Sequence, residues 1–201
     1  LVYSSLGKLY VDIDLHEESM AMFRQALLYA SSDYNRSAIW NNMAFNSMRL
    51  QQPDSVLLFQ RRAVHYAERS GDKKLYLGEK HHLSLVLGQY GKPDSAYLYA
   101  REVLRESEGT PYESGLFHLN LGILALNDGK LDPAEEHLVK SLSNTTPQGR
   151  GQSMQMLFNL HYRRGNYKEA AHYAQQYAVL ADSLTRSLNT VELERLVFRH
   201  Q

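Results

Sequence analysis

The sequence predicts an all-α protein, a solenoid of five helix hairpins followed by a C-terminal helix. Three observations carry that expectation. First, one pattern recurs five times: an apolar helix, a Gly-containing or polar turn, an acidic or hydroxyl residue, a small residue and a second helix. Its small position falls at Ser19, Val56, Ala96, Ala134 and Ala170, with spacings of 37, 40, 38 and 36 residues by subtraction. Second, the second helices carry apolar residues at helical spacing, as in Met22, Phe23, Ala26, Leu27 and Ala30, or Leu57, Ala63, Val64 and Ala67. Third, 5 Pro and 12 Gly in 201 residues make about 8% of the chain, against roughly 12% in an average globular protein. Few turns are left to interrupt the helices.

Taken in order, the units span about 1–32, 33–71, 72–109, 110–146 and 147–184. Their internal turns are Asp12-Ile13-Asp14, Gln51-Gln52-Pro53-Asp54, Gly91-Lys92-Pro93-Asp94, Asp128-Gly129-Lys130-Leu131-Asp132-Pro133 and Gly165-Asn166-Tyr167. Where Gly is present it ends the first helix, and Pro and Asp start the second. Ser70-Gly71-Asp72, Glu108-Gly109-Thr110-Pro111 and Asn144-Thr145-Thr146-Pro147 supply the connections between units. Each hairpin is too short and one-sided to fold alone, so neighbouring pairs have to cover its apolar face. After residue 184, Leu188, Val191, Leu193, Leu196 and Val197 keep helical spacing over 185–201 without a terminator. That segment is either a capping helix or one that continues past residue 201.

At this point the chain resembles the tetratricopeptide-repeat (TPR) family. The family signature, Trp-x2-Leu-Gly-x2-Tyr followed by a small residue, an aromatic and an Ala, is matched by Tyr3, Leu6, Gly7, Tyr10, Ser19, Phe23 and Ala26. Trp40, Met43, Ala44 and Ala63 match in the second unit, and Leu121, Gly122, Gly129 and Ala134 in the fourth. Leu157, Gly165 and Ala170 match in the fifth, and Leu83, Gly91 and Ala96 in the third. The resemblance covers about residues 1–184 and implies a right-handed α-α superhelix. The mean spacing of about 38 exceeds the family's 34, and HEAT-type pairs of about 40 or more are the alternative. Ala181-Asp182-Ser183-Leu184, running into a charged helix, resembles the end of the repeat region in bacterial envelope sensor proteins. There a repeat domain precedes a membrane helix and an intracellular output domain. The resemblance implies a periplasmic or cell-envelope location, with the cytoplasm as the alternative.

Composition excludes several chemistries. Lys+Arg and Asp+Glu balance at 22 each, so the positive surplus of a nucleic-acid binder is missing. With no Cys there is no disulfide, Cys-ligated metal or thiol nucleophile. No apolar run approaches the roughly 20 residues of a membrane span, and neither end reads as a signal peptide. Beginning with Leu1, the chain reads as a piece of something longer. No nucleotide-binding loop, Gly-x-Ser-x-Gly elbow or His-Glu-x2-His motif occurs. Adjacent His81 and His82 point about 100° apart on a helix, where metal pairs prefer i, i+4. His161 and His172 lack a third ligand at suitable spacing. No metal, cofactor or catalytic group is expected.

What remains is surface. In TPR stacks the first helix of each pair lines the concave side, which the resemblance places at Lys8 and Asp12, then at Asn41, Asn42, Phe45 and Arg49. His81, His82, Leu85 and Gln89 follow in the third pair, and Leu119, Asn120, Ile123 and Asn127 in the fourth. Gln155, Asn159, Tyr162 and Arg163 complete the column. Amide side chains present a donor beside an acceptor and suit bidentate bonding to an extended peptide, while Phe45, Ile123 and Tyr162 could seat its side chains. An ordinary polar helix face accounts for the same residues. Asn42 and Asn120 resemble the Asn of carboxylate-clamp members, although the accompanying Lys pair is absent. The expected function is non-catalytic recognition of a protein or peptide within a larger bacterial protein. A sensor of a small molecule or glycan, and a structural spacer, are the alternatives; a homodimer stays open.

Overall fold

The computed structural model describes residues 2–108, 114–143 and 146–199, with side chains described to residue 186. Among the described residues there are ten helices and no strand: α1 (Val2–Asp12), α2 (His16–Leu28), α3 (Asp33–Arg49), α4 (Pro53–Ser70), α5 (Lys73–Gln89), α6 (Pro93–Ser107), α7 (Ser114–Asn127), α8 (Leu131–Ser141), α9 (Pro147–Arg163) and α10 (Tyr167–Arg199). They form the five expected hairpins. Each odd-numbered helix packs on the even-numbered helix that follows it. The chain divides into two compact units, Leu1–Tyr112 and Glu113–Gln201. The dividing point lies in the connection between α6 and α7.

The same turn is built five times. A left-handed residue, with φ from 56° to 76°, follows each first helix at Asp14, Gln51, Gly91, Gly129 and Gly165. The next residue's N–H then reaches back to the carbonyl five positions earlier. These bonds run Leu15 to Tyr10, Gln52 to Ser47, Lys92 to Leu87, Lys130 to Ala125 and Asn166 to His161, at 2.8–3.0 Å. This is the capping geometry that satisfies orphan carbonyls at a helix end, and it explains the recurrent glycine. Pro53, Pro93 and Pro147 then occupy first-turn positions, where a missing N–H is harmless. Ser32, Asp72 and Thr146 cap α3, α5 and α9 by accepting from the N–H groups of Asn35, Leu75 and Gly149.

Inside each hairpin the small residue after the turn sits at the crossing. Ser19, Val56, Ala96, Ala134 and Ala170 are all buried. One register of the first helices is small as well, at Gly7, Ala44, Ser84 and Gly122. A Cβ added to Gly7 would lie 2.5 Å from the Phe23 ring, and one on Gly122 would lie 2.7 Å from Leu138. Ser84 uses the close approach to donate to the Ala96 carbonyl at 2.8 Å.

The helix α10 runs unbroken from Tyr167 to Arg199, so its backbone shows no boundary at 184/185. The side chains at 188, 191, 193, 196 and 197, on which the capping reading rests, lie outside the described residues. None of the described helices is long and apolar enough to cross a membrane.

Candidate peptide-binding face

In the first unit, α3, α4 and α5 line an open cavity of about 340 Å³. Asn41, Asn42, Ala44, Phe45 and Met48 line it from α3, Gln60 from α4, and His82, Leu85 and Val86 from α5. Four of the expected binding residues, Asn41, Asn42, Phe45 and His82, therefore meet at one place. The lining combines the amides of Asn41, Asn42 and Gln60 and the His82 imidazole with apolar Phe45, Met48, Leu85 and Val86. Arg49 holds its guanidinium 5.6 Å from the Phe45 ring centroid, a cation–π distance. Gln89, one turn beyond Leu85, is exposed.

Gln60 is fixed from behind. Its Nε2 donates to Glu79 Oε2 at 2.8 Å and to the Glu79 carbonyl at 3.3 Å, and both residues are buried. His82 Nδ1 lies 3.6 Å from the same carboxylate oxygen. A buried carboxylate needs such partners. The arrangement leaves Gln60 in one rotamer at the cavity wall. The sequence reading missed Gln60, Glu79, Met48 and Val86. The signal was present for Gln60, because its register in the repeat is that of Phe23 in the first unit, where an apolar residue is expected.

In the second unit the outcome is mixed. Gln155, Asn159, Tyr162 and Arg163 form an exposed row along α9, and Asn127 is exposed on α7 with Ile123 partly so. Tyr162 packs against Phe158 and Tyr167, with centroids 5.9 and 5.6 Å away. Asn120 is corrected: only 2% of its surface is exposed, and Leu119 and His81 are buried too. For Asn120 and Leu119 the reason is composition. Apolar residues run around most of α7, and a helix that is hydrophobic on several faces is enclosed on several faces. Asn120 is carried inside with it.

Elsewhere, titratable groups are committed to one another. On α8 and α9, Arg164 bonds Glu135 and Asp132, and His161 Nε2 lies 3.5 Å from Glu135 while its ring stacks on Tyr173 at 5.5 Å. Burial, with Glu135 adding to it, raises the Tyr173 hydroxyl above its ordinary range. His118 and His137 bring their Nδ1 atoms within 3.0 Å of each other. Burial first, and the His137 charge second, lower His118 below the usual histidine value. Among the described residues no group of three or more His, Asp or Glu side chains is arranged to hold a metal.

No family model matches the chain, and no curated protein does either. Solved structures do. A Podosopora anserina chain assigned as a kinesin light chain, with nearly identical TPR-like repeats, superposes with a TM-score of 0.73 at 15% identity, covering 92% of this chain and 95% of that one. The type IV pilus biogenesis factor PilW gives 0.74 at 18% identity over 90% and 77%. The Rap conjugation gene regulator of plasmid pLS20, in complex with the Phr* peptide, gives 0.75 at 17% over 91% and 53%. At these identities the likeness concerns the fold, and with the five identical turns it establishes that the chain is an all-α, TPR-like solenoid of helix hairpins.

Proposed function

We infer that this chain is a non-catalytic recognition scaffold whose first unit holds an extended peptide segment of a partner protein across α3 and α5. The carrying observation is the cavity lined together by Asn41, Asn42 and His82 and by Phe45, Leu85 and Met48. An apolar side chain of the peptide packs on the apolar lining, and the amides bond the main chain on either side of it. The Rap regulator of similar fold binds a peptide, which supports the reading. A place in the bacterial cell envelope, within a signalling or assembly protein, is supported by the likeness to PilW and by the resemblance at 181–184.

The test is a peptide-array screen followed by fluorescence anisotropy. Asn42→Ala should weaken a selected peptide by about 1 to 3 kcal/mol, roughly 5- to 150-fold, because a buried peptide group loses its partner. Phe45→Ala should weaken it as well, with little change in melting temperature, since Phe45 is 51% exposed in the free protein. Peptide binding that persists in both variants would refute the site. A volume of about 340 Å³ also lies in the range of small-molecule pockets, and this favours sensing as the second reading. A metabolite or saccharide that raises the melting temperature, where no peptide does, would put that reading first.

A further inference from the structure

The helix α1 carries an uncovered apolar stripe. Val2 is 72% exposed, Leu6 36%, Leu9 53% and Ile13 55%. Val2, Leu6 and Leu9, spaced by four and three residues, lie on one face of the helix, and Ile13 continues the spacing one residue past its end. A helix face that is covered by nothing is ordinarily polar, and this one is not. Scattered exposed leucines would need no account; a continuous stripe does.

The repeat itself says what the stripe fits. With the hairpins aligned on Ser19 and Val56, Val2, Leu6 and Leu9 correspond to Ile39, Met43 and Asn46 of α3, a shift of 37 residues. Those three are no more than 4% exposed. They are covered by α2, the second helix of the preceding hairpin, and Asn46 bonds the His16 carbonyl and ring on it at 2.8 Å each. The position matching Val2 in α5 is Glu79, bonded to Gln60 of α4; in α9 it is Ser153, bonded to Ser141 of α8 at 2.7 Å. In all three hairpins this face of the first helix meets the second helix immediately upstream. The connections are short, four residues before α3 and two before α5.

We propose that the Val2–Leu6–Leu9 face of α1 is a docking surface for the second helix of a repeat-type hairpin joined on its N-terminal side, laid across α1 as α2 lies across α3. The covering helix presents apolar groups, because α1 has Leu9 where α3 has Asn46. This inference is independent of the peptide-binding reading and uses none of its residues.

The probe is the chain's own hairpin: residues 1–37 duplicated in tandem ahead of Leu1, with His16→Leu in the added copy. Thirty-seven residues place Val2 where Ile39 stands relative to α2, and leucine replaces the histidine whose partner has become Leu9. The expected result is amide exchange across α1 slowed on the order of tenfold, together with a coupled mutational effect. Leu9→Glu should leave the 201-residue chain's melting temperature unchanged and lower that of the extended protein by several degrees. Unchanged exchange, or Leu9→Glu neutral in both proteins, would overturn the proposal. Should the extended protein fail to fold, the 201-residue chain still decides. A monomer by light scattering, in which α1 exchanges far faster than α3, supports the proposal. A monomer with α1 already as protected as α3 overturns it. So does a dimer that Leu9→Glu splits, or that Leu9→Cys cross-links in this otherwise cysteine-free chain, because a second copy would then be the occupant.

Discussion

Two mid-helix glycines should respond to the same substitution with opposite signs. In a helix interior, Ala is favoured over Gly by roughly 1 kcal/mol, from backbone entropy. At Gly78 in α5 an added methyl meets nothing within 4 Å, so Gly78→Ala should gain about 0.5 to 1 kcal/mol. At Gly122 in α7 the methyl would sit 2.7 Å from both Cγ and Cδ2 of Leu138 and 3.3 Å from its backbone nitrogen. Leu138 is fully buried, and Cγ lies too close to the backbone to swing aside, so α8 itself must shift. Overpacking of this kind costs about 1 to 3 kcal/mol, which outweighs the propensity gain and leaves a net loss of about 1 to 2 kcal/mol. For a chain of this size each kcal/mol moves the melting temperature by about 2 to 4 °C. Thermal unfolding followed by circular dichroism should therefore show Gly78→Ala above the parent and Gly122→Ala below it. Leu138→Ala should be less damaging in the Gly122→Ala background than alone, because the clash disappears with the side chain. If both glycine variants rise together, the close approach of α7 and α8 at residue 122 is refuted.

Ala134→Leu and Ala170→Leu should each destabilise by about 1 to 3 kcal/mol in urea unfolding, since both alanines lie buried at hairpin crossings; unaltered midpoints would contradict the shared register. Burial pulls the Lys80 ammonium down, but its bonds to Tyr76, Glu106 and Glu102 outweigh burial and hold it above the ordinary lysine range. Lys80→Met should therefore stay within about 1 kcal/mol of the parent, while the double variant Glu102→Gln, Glu106→Gln, which strands the buried charge, should lose about 2 to 3 kcal/mol. Burial, with the His82 charge adding to it, pulls His81 from 6.5 down to about 3. Below about pH 6.5 the unfolded chain takes up a proton that the folded chain refuses, so stability is complete above that pH. It then falls on acidification toward pH 3 by about 1.4 kcal/mol per unit. Urea midpoints between pH 7 and 4 measure the slope, and His81→Gln should flatten it.

Local chemistry made the fold legible in the sequence. The recurrent small residue, the glycine after the first helix in three of the hairpins and the prolines opening second helices act within a few residues of themselves. They fixed five hairpins and their turns without reference to the rest of the chain. The positions of Phe45, Arg49, His82 and Gln89 in the first unit, and of Asn159 in the second, came from the family resemblance, and each of these residues is exposed on its own helix. Burial at a given register does not follow from spacing, because it depends on what the neighbouring hairpin presents. Asn42 and Asn120 occupy the same place in their units, yet Asn42 lines an open cavity and Asn120 is enclosed with the apolar helix that carries it. Gln60 and Glu79 lie 19 residues apart on successive helices, and only the stacking of α4 on α5 makes them one buried pair at the cavity wall. The apolar face of α1 was visible as Val2, Leu6, Leu9 and Ile13, but periodicity counts an apolar residue without saying whether anything covers it. Coverage is a property of the neighbouring helix, and it took the tertiary structure to show that the same face is closed on α3, α5 and α9 and open on α1.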